Sequence, residues 1–152
     1  MKMEKVALEL SLEQAYAVRD ALDCYSRLCI GQIEEVGELI RSGTIPHAES
    51  SERPRYTASP DQIDHAMELL NQVKAVLGYP RNGSNGIGHS HVHASACRAY
   101  ETKKVLAQAL AYHREPTPSF KGVDYDGLGP RYTQDPAPIA RVMSAGASGK
   151  GA

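Results

Sequence analysis

Tryptophan is absent from the chain and phenylalanine occurs once, so its aromatic complement is almost entirely eight tyrosines. Each tyrosine brings a hydroxyl that needs a partner when buried, which favours rings facing polar groups or a polar ligand. Cysteine is scarce too: Cys24, Cys29 and Cys97 are odd in number and form no CxxC pair. Cys24 and Cys29 sit on one predicted helix with diverging side chains, so a disulfide framework is not expected and a reducing, cytoplasmic setting is. No run of about 18 apolar residues occurs, which argues against a spanning helix and a membrane partner. Neither sign of charge dominates, with 17 Lys and Arg against 18 Asp and Glu in 152 residues. Without a basic field, duplex nucleic acid is not an expected partner. No internal repeat is visible, and the length suits a single domain over 1–143 followed by an apolar-poor, disordered tail at 144–152.

What is present reads as helices with a small sheet. Lys5 to Leu10 alternates, with Val6, Leu8 and Leu10 on one side, as in a short half-buried strand. Ser11 and Gln14 form a capping-box signal for a long amphipathic helix over about 11–42, whose stripe runs Ala15, Val18, Leu22, Tyr25, Cys29, Ile33, Val36 and Ile40. A polar loop over 47–58 follows. Ser59-Pro60-Asp61-Gln62 then starts a second helix, with Ile63, Met67, Leu70, Val73 and Leu77 on its stripe and Gly78 at its end. A third helix is expected from about Ala96 to His113, capped by Ser95, with Arg98, Lys103 and Lys104 exposed. The turn-rich segment 122–133 suits a hairpin around Asp126-Gly127 that could pair with the first strand. The expected fold is therefore α+β, two or three packed helices with a small antiparallel sheet.

The densest chemistry lies between the second and third helices, in Gly78-Tyr79-Pro80-Arg81-Asn82-Gly83-Ser84-Asn85-Gly86-Ile87-Gly88-His89-Ser90-His91-Val92-His93-Ala94-Ser95. In an extended segment His89, His91 and His93 project to one side, and such a triad, with Cys97 nearby, can hold a divalent metal. The glycines favour another use, because Gly83, Gly86 and Gly88 let backbone N–H groups approach an anion just ahead of a helix N-terminus. On that reading the histidines are donors along a phosphate pocket and no metal or cofactor is required.

Glu34-Glu35-Val36-Gly37-Glu38 offers an enzymatic alternative. The E-E-x-x-E pattern resembles the magnesium signature of MazG-type nucleoside triphosphate pyrophosphohydrolases, with Asp61 and Asp64 as the nearest second acidic pair. The same glutamates also fit a solvated face opposite Ile33, Val36 and Ile40. Arg27 lies on the polar arc of the first helix, and Arg131 stands beside Tyr132, where a guanidinium and an aromatic ring could grip a phosphate and a base.

The fragments Tyr25-Ser26-Arg27, Gly31-Gln32-Ile33-Glu34-Glu35, Gly88-His89-Ser90-His91-Val92-His93 and Tyr125-Asp126-Gly127-Leu128-Gly129-Pro130-Arg131-Tyr132 resemble small bacteriophage proteins, most closely the anti-Thoeris signal-sequestering family. That resemblance implies a non-catalytic sponge that binds a cyclic ADP-ribose isomer or cyclic oligonucleotide between subunits of a homo-oligomer, in the host cytoplasm, against host immunity. It implies Arg27 and Arg131 on the ligand's phosphates, with Asn85, His91 and Tyr132 as candidates around the base; His93 and Gly88 join them from the loop. The insert 47–59 departs from the family pattern. The two alternatives are the pyrophosphohydrolase and a module that inhibits a host protein through its helical surface.

Overall fold

The structure, a computed structural model, describes residues 3–49 and 57–144. The rest of the expected loop, 50–56, and the tail 145–152 lie outside the described residues. Among the described residues four helices carry the fold: α1 (Leu12–Cys29), α2 (Glu35–Arg41), α3 (Pro60–Val76) and α4 (Ala94–Arg114), followed by a short 3-10 turn at Val123–Tyr125. The chain divides into two compact units, one of Cys24–Cys97 and one of Met1–Asp23 with Arg98–Ala152.

Two helix starts follow from their sequence signals. The Ser11 hydroxyl accepts from the Gln14 N–H at 3.2 Å while the Gln14 side chain accepts from the Ser11 N–H at 2.9 Å. Ser59 and Gln62 repeat this reciprocal box at 3.2 and 2.8 Å, with Pro60 in the first turn of α3. Each box satisfies donors that a helix N-terminus otherwise leaves without intrahelical partners.

The expected long helix over 11–42 is two helices. Gly31 adopts φ +99°, its N–H returns to the Leu28 carbonyl at 3.0 Å, and the next N–H, from Gln32, reaches the Arg27 carbonyl at 3.0 Å. That pair of bonds is a Schellman closure, which a left-handed glycine makes without a Cβ clash. The apolar stripe continues across the break because α2 resumes only a few residues later and packs on α3. A Cβ on Gly31 would lie 2.4 Å from the Tyr79 ring. Gly31→Ala is therefore expected to cost about 2 kcal/mol, from the positive φ and the displaced ring together; a urea titration that finds the variant as stable as the parent would refute this packing.

No strand or sheet forms among the described residues, so the α+β expectation is replaced by a helical fold. Residues 5–10 form no element and pair with nothing among the described residues, with Val6 96% and Leu8 72% exposed. The segment meant to pair with them is committed elsewhere. Tyr125 is buried, its hydroxyl donating to the Ala111 and Glu115 carbonyls at 3.3 and 3.2 Å, and its ring meets Tyr112 edge-on at 5.0 Å. Gln108 holds the Tyr125 carbonyl at 2.8 Å. Further along, the N–H groups of Tyr132 and Thr133 donate to the buried Glu101 carboxylate. Donors spent on α4 cannot build a ladder.

In the unit Cys24–Cys97, α2 lies against α3 with Gly37 facing Met67, and Ile63, Ala96 and Cys97 are buried. In the other unit the core is Ala15, Ala99, Ala107, Leu110, Ala111 and Tyr125. Small side chains along α4 let the Val123–Tyr125 turn approach closely. Lys103 and Lys104, expected to be exposed, are largely covered: Lys103 pairs with Asp23 at 2.9 Å and Lys104 with Asp126 at 3.6 Å.

Candidate functional site

The Gly78–Ser95 stretch is irregular, as a glycine- and asparagine-rich segment predicts, but it is tied down at both ends. At its start Gly78 takes φ +84° and closes α3, with the Tyr79 N–H on the Lys74 carbonyl at 2.9 Å. In the middle, the Asn85 N–H donates to the Ile30 carbonyl at 2.9 Å, so the loop is anchored on the turn that ends α1. Asn85 also donates its side-chain amide to the Tyr79 hydroxyl at 3.2 Å. At its end the His93 ring accepts from the Ser95 N–H at 3.2 Å, so the cap of α4 is His93 and Ser95 lies inside the helix.

Between these anchors lies an open depression of about 410 Å³ lined by Leu77, Gly78, Tyr79, Pro80, Gly83, Ser84, Asn85 and His91. Its size is within the range of small-molecule sites, and its lining is more polar than apolar. Gln32 connects the depression to α1, donating to the Ser84 hydroxyl at 3.4 Å and accepting from Arg27 at 3.1 Å. Arg27 also stands 3.5 Å from Glu35. A network from Arg27 through Gln32 to Ser84 thus runs inside one unit, beside Tyr79, Asn85 and His91.

Hydrogen bonding suggests how the histidines can act. His89 Nδ1 accepts from the His91 N–H at 3.1 Å, and the His89 and His91 rings meet edge-on at 4.8 Å. His93 Nδ1 likewise accepts from Ser95 and lies 2.7 Å from its hydroxyl, which in turn meets the Tyr25 hydroxyl at 2.9 Å. A neutral imidazole that accepts at Nδ1 carries its proton on Nε2, so in that tautomer His89 and His93 each have one N–H left to donate. Donors suit an anion; a metal needs the lone pair. No group of three His, Cys, Asp or Glu side chains among the described residues is placed to hold a metal ion.

The acidic stretch is partnered by cations. Glu34 binds the buried Lys74 at 2.7 Å, Glu35 faces Arg27, and Glu38 pairs with Arg41. Nothing in that arrangement gathers Glu34, Glu35, Glu38, Asp61 and Asp64 into a cation cradle.

A DNA ligase of Methanosphaerula palustris is 34% identical to this chain over 109 residues, covering 67% of the chain and 17% of the ligase. The chain thus resembles a segment spanning about a sixth of that enzyme. No family model and no solved structure matches it.

Of the residues expected to bind ligand, Asn85 and His91 line the depression, Arg27 is linked to it through Gln32, and Gly88 and His93 belong to the same loop and unit. Arg131 and Tyr132 fall in the other unit. There Arg131 Nε donates to Glu101 at 3.0 Å, and its terminal nitrogen reaches the Asp135 carbonyl. The Tyr132 ring meets Tyr100 edge-on at 6.1 Å. Sequence reasoning overlooked Tyr79, Ser84 and Gln32. Tyr79 had a signal, since a tyrosine directly after a helix-ending glycine must leave the helix axis; Gln32 had none, because its role depends on the break at Gly31.

Proposed function

We propose that this chain is a non-catalytic binding module whose Cys24–Cys97 unit takes a small phosphate-bearing nucleotide at the Tyr79–Asn85–His91 depression. The observation that carries this reading is the convergence of an aromatic ring, an amide, a hydroxyl and an imidazole on one open cavity, with the Arg27–Gln32 network beside it. Ring and amide suit a base; N–H donors and a guanidinium suit a phosphate. Among the described residues lining the cavity there is no carboxylate, and the Ser84 hydroxyl is held by the Gln32 amide rather than by a base, so the groups present favour tight ground-state binding over bond cleavage. The likeness to anti-Thoeris sponges makes cyclic nucleotides the first ligands to test, with sequestration as the biological role.

The test is to incubate the full chain with cyclic nucleotides and nucleoside triphosphates, with and without Mg²⁺, wash, denature and analyse what is released. Intact ligand is expected, with retention by Asn85→Ala weakened about tenfold or more through loss of one directed hydrogen bond. Hydrolysed product would move the conclusion to a pyrophosphohydrolase. Retention unchanged in both Asn85→Ala and His91→Ala would remove the site.

A second reading rests on the stretch shared with the DNA ligase: a module that serves a DNA-joining enzyme. The near-zero net charge gives it little electrostatic support. Binding of nicked duplex DNA at moderate salt, without retention of any small nucleotide, would favour it over the first.

A further inference from the structure

Residues 3–10 lie outside any helix or strand, and their backbone N–H and C=O groups make no hydrogen bond among the described residues. Yet the segment keeps a strand's alternation: Val6, Leu8 and Leu10 on one face, all exposed, and Lys5, Ala7 and Glu9 on the other. Strand patterning without a strand partner among the described residues is an edge awaiting one. We infer that residues 5–9 pair antiparallel with the same residues of a second copy of this chain, around a two-fold axis at Ala7.

Charge selects both the partner and the register. In an antiparallel pair, directly opposite residues share a face, so a two-fold register must set even positions against even ones to keep the apolar face continuous. Three such registers are available. Centred on Leu8, Glu9 would oppose Ala7 and Lys5 would oppose Ser11; centred on Val6, Lys5 would oppose Ala7 and Glu9 would oppose Met3. Centred on Ala7, Lys5 opposes Glu9 of the second copy and Glu9 opposes its Lys5, while Val6 and Leu8 meet Leu8 and Val6 across the axis. That register alone pairs both charges of the polar face, Lys5 and Glu9, while on the other face it sets Val6 against Leu8 and leaves Leu10 beside Glu4; charge therefore selects it, since cross-strand pairs of opposite charge stabilise a ladder. The contact is isologous, so it closes at a dimer rather than propagating. It is independent of the nucleotide reading, since no residue of the depression takes part.

Charge reversal tests it on the full chain by sedimentation equilibrium at low ionic strength. The parent is expected to associate to a dimer. Lys5→Glu and Glu9→Lys each set like charges against each other on both sides of the axis and should weaken association about tenfold. The double variant Lys5→Glu/Glu9→Lys restores both attractions and should return the parent's affinity. These side chains are exposed, and unchanged helical circular dichroism would show that the fold is unaffected. A monomeric parent, single variants that associate like the parent, or a double variant that stays as weak as the singles would each overturn the pairing.

Discussion

Glu101→Ala should be the most damaging single substitution in the unit Met1–Asp23 with Arg98–Ala152, lowering unfolding free energy by about 3–5 kcal/mol in a denaturant titration. Glu101 is 2% exposed on α4, and both its oxygens are fully used. Oε1 accepts the Tyr132 and Thr133 N–H groups at 2.7 and 3.0 Å; Oε2 accepts Arg131 Nε at 3.0 Å and the Thr133 hydroxyl at 2.9 Å. Truncation strips two backbone donors, a hydroxyl and a guanidinium of one shared acceptor, which costs far more than the pair's own net contribution. Glu101→Gln keeps the shape but replaces one acceptor oxygen with a donor amide facing donors, so it should recover little.

The same carboxylate makes this unit acid-sensitive. Burial alone would raise its pKa, but the Tyr132 N–H, the Thr133 hydroxyl, Arg131 and the Thr133 N–H outweigh burial and hold it below the ordinary carboxylate value. A depressed folded-state pKa means the stabilisation is complete above the unfolded-state value and is lost as pH falls through the folded one. Acid unfolding of the parent should therefore have a component that Glu101→Gln lacks. Parallel acid titrations of the two proteins would contradict this assignment.

The second large effect is expected at Lys74, whose side chain is 0% exposed and whose ammonium meets Glu34 at 2.7 Å. Glu34→Ala leaves a cation in the interior without its counter-charge and should cost about 3 kcal/mol or more. Lys74→Met should behave very differently. Its unbranched stem fills the same space, and Glu34, a quarter exposed, regains water, so stability should stay within about 1 kcal/mol of the parent. Equal losses in the two variants would show that the pair, rather than the orphaned lysine, carries the energy.

Helix starts were legible in the sequence because they are local: Ser11 with Gln14 and Ser59 with Gln62 need only neighbours three residues away. Helix breaks and burial were less so. Gly31 sits inside an uninterrupted apolar stripe, and only the Tyr79 ring, 48 residues along the chain, explains why the chain turns there. Lys74 falls within the apolar stripe of α3, one turn from Leu70, where a lysine gives no apolar signal; it is buried while Val73 and Leu77 are exposed, because Glu34 on the facing segment supplies its counter-charge. The sheet failed as an expectation for a related reason: alternation in 5–10 is a property of that segment, whereas pairing depends on what 122–133 does with its donors, and α4 takes them. Of the candidate site, the loop's irregular course was readable from its glycines and asparagines. Arg131 belongs to the other unit, where Glu101 engages it, a partnership that its sequence neighbours did not signal.

The Glu101 latch also determines which changes the segment around Tyr132 tolerates. Two of its four donors are main-chain N–H groups, present whatever side chain is attached, so chemical identity at position 132 matters little to the latch itself. Spacing matters a great deal. One residue inserted between Arg131 and Thr133 would carry the guanidinium or the hydroxyl out of reach of the carboxylate, so related chains should vary freely here by substitution and hardly at all by length.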